Sequence, residues 1–110
     1  KWLGRSCTHA DRKDQRVVIF CHWPLLPENI TQMWGNRKVI DLLNKHRSVV
    51  AYIAGHDHAG SYVKKGHIHY FTLKAIVEAN AETSCGIMSV YPNKLSFEGF
   101  GNQEDRVLDF

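Results

Sequence analysis

Val49-Val50-Ala51-Tyr52-Ile53-Ala54-Gly55-His56-Asp57-His58 is an apolar run that ends in a glycine and two imidazoles. Unbroken apolar character over strand length is the pattern of a strand buried on both faces, read here over Ser48–Ala54, with a glycine turn presenting the histidines. Upstream, Val17-Val18-Ile19-Phe20-Cys21-His22 repeats the arrangement: a strand over Val17–Cys21, also expected to be buried on both faces, delivers a histidine before Trp23-Pro24. Two prolines make Trp23–Asn29 a loop, an unusually apolar one. Val39, Ile40, Leu42 and Leu43 then fit a short amphipathic helix from Asn36 to Lys45. Strand, helix, strand is a β-α-β unit, which sets two parallel strands side by side with their carboxyl ends on one edge, where α/β proteins place ligands. That topology predicts that His22 comes close to His56.

The flanks are simpler. Lys1 to about Thr8 reads as a helix end, followed by a polar stretch from Ala10 to Arg16. Gly60–Val63 and His67–Thr72 form a hairpin around Lys64-Lys65-Gly66, and Ser84–Val90 and Lys94–Phe100 form a second around Tyr91-Pro92-Asn93. Gly101–Phe110 is expected to pack as an edge. No repeat, low-complexity stretch or linker divides the chain, so residues 1–110 are read as a single partial domain. It opens at Lys1-Trp2-Leu3, like the middle of an amphipathic helix, and the true start is expected upstream.

Composition bounds the function. In 110 residues, 44% hydrophobic, twelve aromatic side chains argue against disorder. The net charge of +3 is scattered, with only Arg12-Lys13 and Lys64-Lys65 as basic pairs, which speaks against nucleic-acid binding. Cys7, Cys21 and Cys85 are odd in number and widely spaced, a poor disulfide framework that fits a reducing, cytoplasmic compartment. No apolar run is long enough to span a membrane. Asn29-Ile30-Thr31 fits the glycosylation pattern, which is common by chance and carries no weight.

Neutral imidazole is the commonest metal ligand among side chains. In an extended loop His56 and His58 share a face, with Asp57 turned away, and can serve one metal or two adjacent ones; His22 adds a third nitrogen. His9 and His46 are read as surface residues, and His67 and His69 as one face of a half-exposed strand.

At these residues the sequence resembles the calcineurin-like metallophosphoesterases. His22 matches their lone histidine after a strand, and Gly55-His56-Asp57-His58 their Gly-His-x-His block. The blocks Asp-x-His, Gly-Asp-x-x-Asp and Gly-Asn-His are absent from the chain. A more specific resemblance covers nearly the whole sequence. Phe20–Leu25, Ala54–His58 with Gly60 and Tyr62, Ile68-His69, Thr72-Leu73, Val77-Glu78, Val90-Tyr91-Pro92 and Gly99-Phe100-Gly101 are similar, in order, to the carboxyl-terminal part of the manganese-dependent ADP-ribose/CDP-alcohol diphosphatases. The resemblance implies an α/β fold, the carboxyl-terminal half of an α/β/β/α sandwich whose mixed sheet carries a β-α-β unit followed by hairpins. It implies two divalent ions, Mn2+ first, with Zn2+ or Fe as alternatives, His22 and His56 binding one and His58 the other. It further implies hydrolysis of a small nucleotide-linked pyrophosphate by a metal-bound hydroxide, with activity falling as the imidazoles protonate. His69 and Glu78 match family positions as substrate contacts or supports of the ligands. Trp23, Trp34 and Tyr62 are weighed as an aromatic wall for a nucleobase against ordinary core or rim packing. With the bridging carboxylate missing, the 110 residues alone are expected to be inactive and to expose an apolar face that awaits the other half. Two other readings stand beside this one: a non-catalytic metal-binding or protein-interaction module of the same fold, and a self-contained mononuclear zinc domain.

Overall fold

β1 (Val17–Cys21) and β2 (Val49–Ala54) are adjacent and parallel, and Cys21 pairs with Ala54 at their carboxyl ends. The structure, a computed structural model, describes residues 1–77 and 83–110. Around this pair run α1 (Trp2–Arg12), α2 (Asn36–Leu43), β3 (Ser61–Lys65), β4 (Ile68–Thr72), β5 (Cys85–Tyr91), β6 (Lys94–Phe100) and β7 (Arg106–Asp109). The strands form a mixed sheet of order β1-β2-β4-β3, in which only β3 is antiparallel to its neighbour, and an antiparallel sheet of order β5-β6-β7.

Apolar side chains gather in two interiors. Leu25, Ile40, Leu43, Tyr52, Ile68 and Tyr70 lie where the helices meet one face of the mixed sheet. Val50, Ile53, Phe71, Leu95, Phe97 and Leu108 fill the space between the two sheets. The layers are therefore helix, sheet, sheet. A register shift on β2 sets which residue faces which layer: Val17 pairs with Val49 but Val18 with Ala51, leaving Val50 as the extra residue. Val50 and Ala51 both join the inter-sheet interior, and beyond them alternation resumes, with Tyr52 and Ala54 to the helices and Ile53 to the second sheet.

Both helices are held by one stripe. Cys7 and Ala10 of α1 are buried, and so are Asn36, Ile40 and Leu43 of α2. The helix α1 continues through Arg12, into the stretch read as polar and non-helical, and α2 ends at Leu43, short of Lys45. His46 is not a plain surface residue: its Nδ1 meets Asp11 Oδ2 at 2.7 Å, and Asp11 Oδ1 accepts from the Ser48 amide at 2.8 Å, so α1 is pinned to the start of β2. That hydrogen bond with His46 is the main reason the Asp11 carboxyl titrates at about 2.

The strand β1 departs from the expectation of burial on both faces. It lies at the edge of its sheet, and among the described residues Phe20, on the side that borders a cleft next to His22 and His56, is 65% exposed. The hairpin β3–β4 turns at Gly66-His67, with Lys65 already paired to Ile68, and Gly66 takes φ +61°. The tail is the edge strand β7, as its composition predicts. Exposed Phe20, Ile76, Val77, Ile87 and Val90 give the described residues the uncovered apolar surface that the sequence implies. No helix among them is long and apolar enough to cross a membrane.

Candidate metal centre

The parallel pairing brings His22 and His56 together. The Gly55 amide donates to the His22 carbonyl at 3.1 Å, which continues the pairing one step past the strands and fixes the two backbones side by side. His22 Nε2 then lies 3.2 Å from His56 Nδ1. Two nitrogens each about 2.05 Å from one tetrahedral ion stand about 3.3 Å apart, so the separation fits a pair of ligands on a common ion. Nitrogen lone pairs facing at this distance repel unless a proton or a cation lies between them.

Behind the pair, Tyr52 is buried, and its hydroxyl donates to the Trp23 carbonyl at 2.9 Å. Burial pushes the Tyr52 phenol up, which keeps that donor protonated. The Trp23 ring, 46% exposed, packs 4.0 Å from the His56 ring and covers one side of it.

The turn itself differs from the sequence reading. Gly55 is not the strained residue; His56 is, at φ +64°. The Asp57 amide donates back to the Gly55 carbonyl at 2.7 Å, closing a γ-turn centred on His56, and the Gly60 amide donates to the Asp57 carbonyl at 3.0 Å. The left-handed region costs a non-glycine residue roughly 1–2 kcal/mol, and strain of this kind gathers at functional positions. The segment is therefore not extended, and the simple alternation that sets His56 and His58 on one face does not hold. Among the described residues no group of three His, Cys, Asp or Glu side chains is gathered closely enough to hold an ion. His22 and His56 converge; His58, exposed, follows in the same turn without joining them. The described residues thus fit part of a metal site, a two-nitrogen arm made by His22 and His56.

A cleft of about 780 Å³ opens beside this edge, lined by the three histidines together with Phe20, Ile53 and Phe97. It combines an apolar floor with imidazoles at one end, the general form of a small-molecule site. Asp57 also borders the cleft, and its carboxylate accepts from Asn29 Nδ2 at 2.8 Å. Sequence reasoning passed over Asn29, Tyr52 and the strain at His56; Asn29 drew notice only as part of a glycosylation pattern.

Other predicted residues fall away from this edge. His69 is 2% exposed, with Nδ1 against the Tyr62 hydroxyl at 2.8 Å and Nε2 against the Asp109 carbonyl at 2.9 Å. It is an interior residue joining β3, β4 and β7, which corrects the half-exposed reading. Burial lowers its pKa, so the ring is held neutral. Tyr62 belongs to that cluster, under the Arg106 guanidinium at 4.2 Å, and not to a wall with Trp23. Trp34 is 98% exposed and lines a hollow with Trp23, Ile30 and Met33, without Tyr62. Glu78 lies outside the described residues.

No family profile matches the chain. In sequence it is similar to manganese-dependent ADP-ribose/CDP-alcohol diphosphatases: 33% identical to that of Xenopus laevis over 99% of the chain and 32% of the relative. The Xenopus tropicalis protein is 35% identical over 97% of the chain and 33% of the relative, and the Arabidopsis thaliana protein 34% over 90% and 33%. The chain thus spans about a third of the length of these curated relatives. In structure it is similar to a dimetal phosphatase from Danio rerio, with a TM-score of 0.95 and 30% identity over 99% of the chain and 36% of that structure. At that identity and score the shared α/β fold is secure.

Proposed function

We infer that this chain, related over nearly its whole length to the manganese-dependent ADP-ribose/CDP-alcohol diphosphatases, is part of a binuclear phosphohydrolase to which it supplies His22, His56 and His58 as metal ligands. The observation that carries the reading is the 3.2 Å approach of His22 Nε2 to His56 Nδ1 at the carboxyl edge of two parallel strands. A pair of bound divalent ions supplies charge neutralisation at phosphorus and a hydroxide nucleophile near neutral pH.

The chain's own residues orient and exclude. The strand pairing and the Tyr52 hydroxyl fix the His22–Trp23 backbone, the γ-turn aims His56, and the Trp23 ring keeps water from one side of that imidazole. The cleft beside them is roomy enough for a nucleotide-linked pyrophosphate, and ADP-ribose and CDP-alcohols are the substrate class suggested by the names of the relatives. Residues 1–110 alone are expected to be inactive, because among the described residues two imidazoles meet and no third donor does. The same observation favours the second reading, a non-catalytic module of this fold.

The experiment compares two proteins, the one made from the complete reading frame and residues 1–110, each given Mn2+ and ADP-ribose. Release of AMP and ribose phosphate by the first and not the second supports the reading. A complete protein that binds Mn2+ but releases nothing supports the metal-binding module, and one that binds no Mn2+ removes both the hydrolase and that module.

A further inference from the structure

His56 is held at φ +64°, and among the described residues its ring is hydrogen-bonded to the facing His22 and packed against Trp23, contacts that do not themselves set the backbone of the turn. Backbone hydrogen bonds account for part of it: Asp57 to Gly55, and Gly60 to Asp57. The remaining restraint comes from outside the turn. Asn29, in the loop between β1 and α2, donates its Nδ2 to Asp57 Oδ2 at 2.8 Å. The orientation of that carboxamide is itself fixed. Asn29 Oδ1 accepts from the Thr31 amide at 3.0 Å and from the Thr31 hydroxyl at 2.6 Å. The Thr31 amide can only donate and needs an oxygen, while the Asp57 carboxylate only accepts, so the carboxamide cannot flip and its NH2 is committed to the carboxylate. Asn29, Asp57 and Thr31 are all half-buried, which strengthens such a bond relative to open water.

We propose that Asn29 is a positioning residue for His56, acting through Asp57, and that Thr31 sets Asn29 in turn. The clasp joins the loop that carries Trp23 to the turn that carries His56. It preorganises the turn for an ion before the ion arrives, and so spares the ordering cost that binding would otherwise meet. The triplet that reads as a glycosylation pattern is thus an Asx turn whose side-chain nitrogen is already engaged. The inference rests on the metal-binding reading of His22 and His56.

The test is Mn2+ affinity, measured by electron paramagnetic resonance on the protein from the complete reading frame, for wild type, Asn29→Ala, Asp57→Ala and the double variant. Each single variant is expected to bind roughly 10-fold more weakly, the size typical of partners that orient ligands. The double variant should be no worse than either single one, since both break the same link. Thr31→Val keeps the shape and removes one donor; it should lower affinity by a smaller factor at an unchanged melting temperature, a change that a purely structural role would not produce. Single losses that multiply in the double variant, or variants that all bind like wild type, overturn the clasp. A wild type that binds no Mn2+ overturns the metal reading, and the inference with it.

Discussion

Two histidine-bearing pairs occupy the mixed sheet and its edge, His22 with His56 and His69 with Tyr62, and they are built on opposite principles. At the carboxyl ends of β1 and β2, His22 and His56 meet nitrogen to nitrogen, partly open to solvent, on a backbone strained at His56. In the interior, His69 gives one nitrogen to Tyr62 and the other to the Asp109 carbonyl, with no strain at its own position. The interior ring has a protein partner for each nitrogen and exists to close the fold. Among the described residues the edge rings turn a nitrogen to each other, a contact that is stable around a shared proton or a shared cation. A ring's role is told by what its two nitrogens face, not by the residue type.

Exchanging the roles of the two pairs is the sharpest way to break this contrast. His22→Ala should abolish measurable Mn2+ binding, a loss exceeding the about 10- to 100-fold typical of supporting residues, while the melting temperature, read by calorimetry, stays nearly unchanged. His69→Ala should do the reverse. Loss of a buried ring leaves the Tyr62 hydroxyl and the Asp109 carbonyl without partners, and denaturant titration should show about 2–4 kcal/mol of destabilisation with Mn2+ affinity of the folded protein kept. If His69→Ala abolishes metal binding in folded protein, the division between the pairs is wrong.

A third outcome concerns pH. Burial lowers the His69 pKa, so below about 6.5 the unfolded chain takes up a proton that the folded chain refuses. Stability is complete above that value and falls with pH from there down to the folded pKa, where the slope ends. His69→Gln should flatten this part of the stability profile. The smallest effect separates strain from ligation. His56→Gly and His56→Ala both lose the imidazole, but only glycine is at ease at φ +64°, so the glycine variant should be the more stable by about 1 kcal/mol.

How much of this was legible follows from the range of the forces involved. The edge pair could be read because β1 and β2 are continuous apolar runs joined by a short helix, and parallel pairing of such a unit leaves one arrangement for His22 and His56. The interior pair could not, because the partners of His69 arrive from β3 and from β7, the latter 40 residues away, and no local pattern encodes them. Phe20 looked buried because a strand's sequence does not reveal whether a neighbour covers it. The strain at His56 was hidden by the glycine before it, which drew the expectation of an unusual backbone to the wrong residue.

The extra residue in β2 has a consequence for tolerance to length change. Since Val50 is the one that does not pair, removing it restores plain alternation from Val49 to Ala51 and leaves every later side chain on its present side. A deletion from Tyr52 to Ala54, beyond the two residues that share the inter-sheet side, instead turns the end of the strand over and carries His56 away from His22. Lineages of this chain can lose a codon at Val50 at the cost of some packing, but not four positions later.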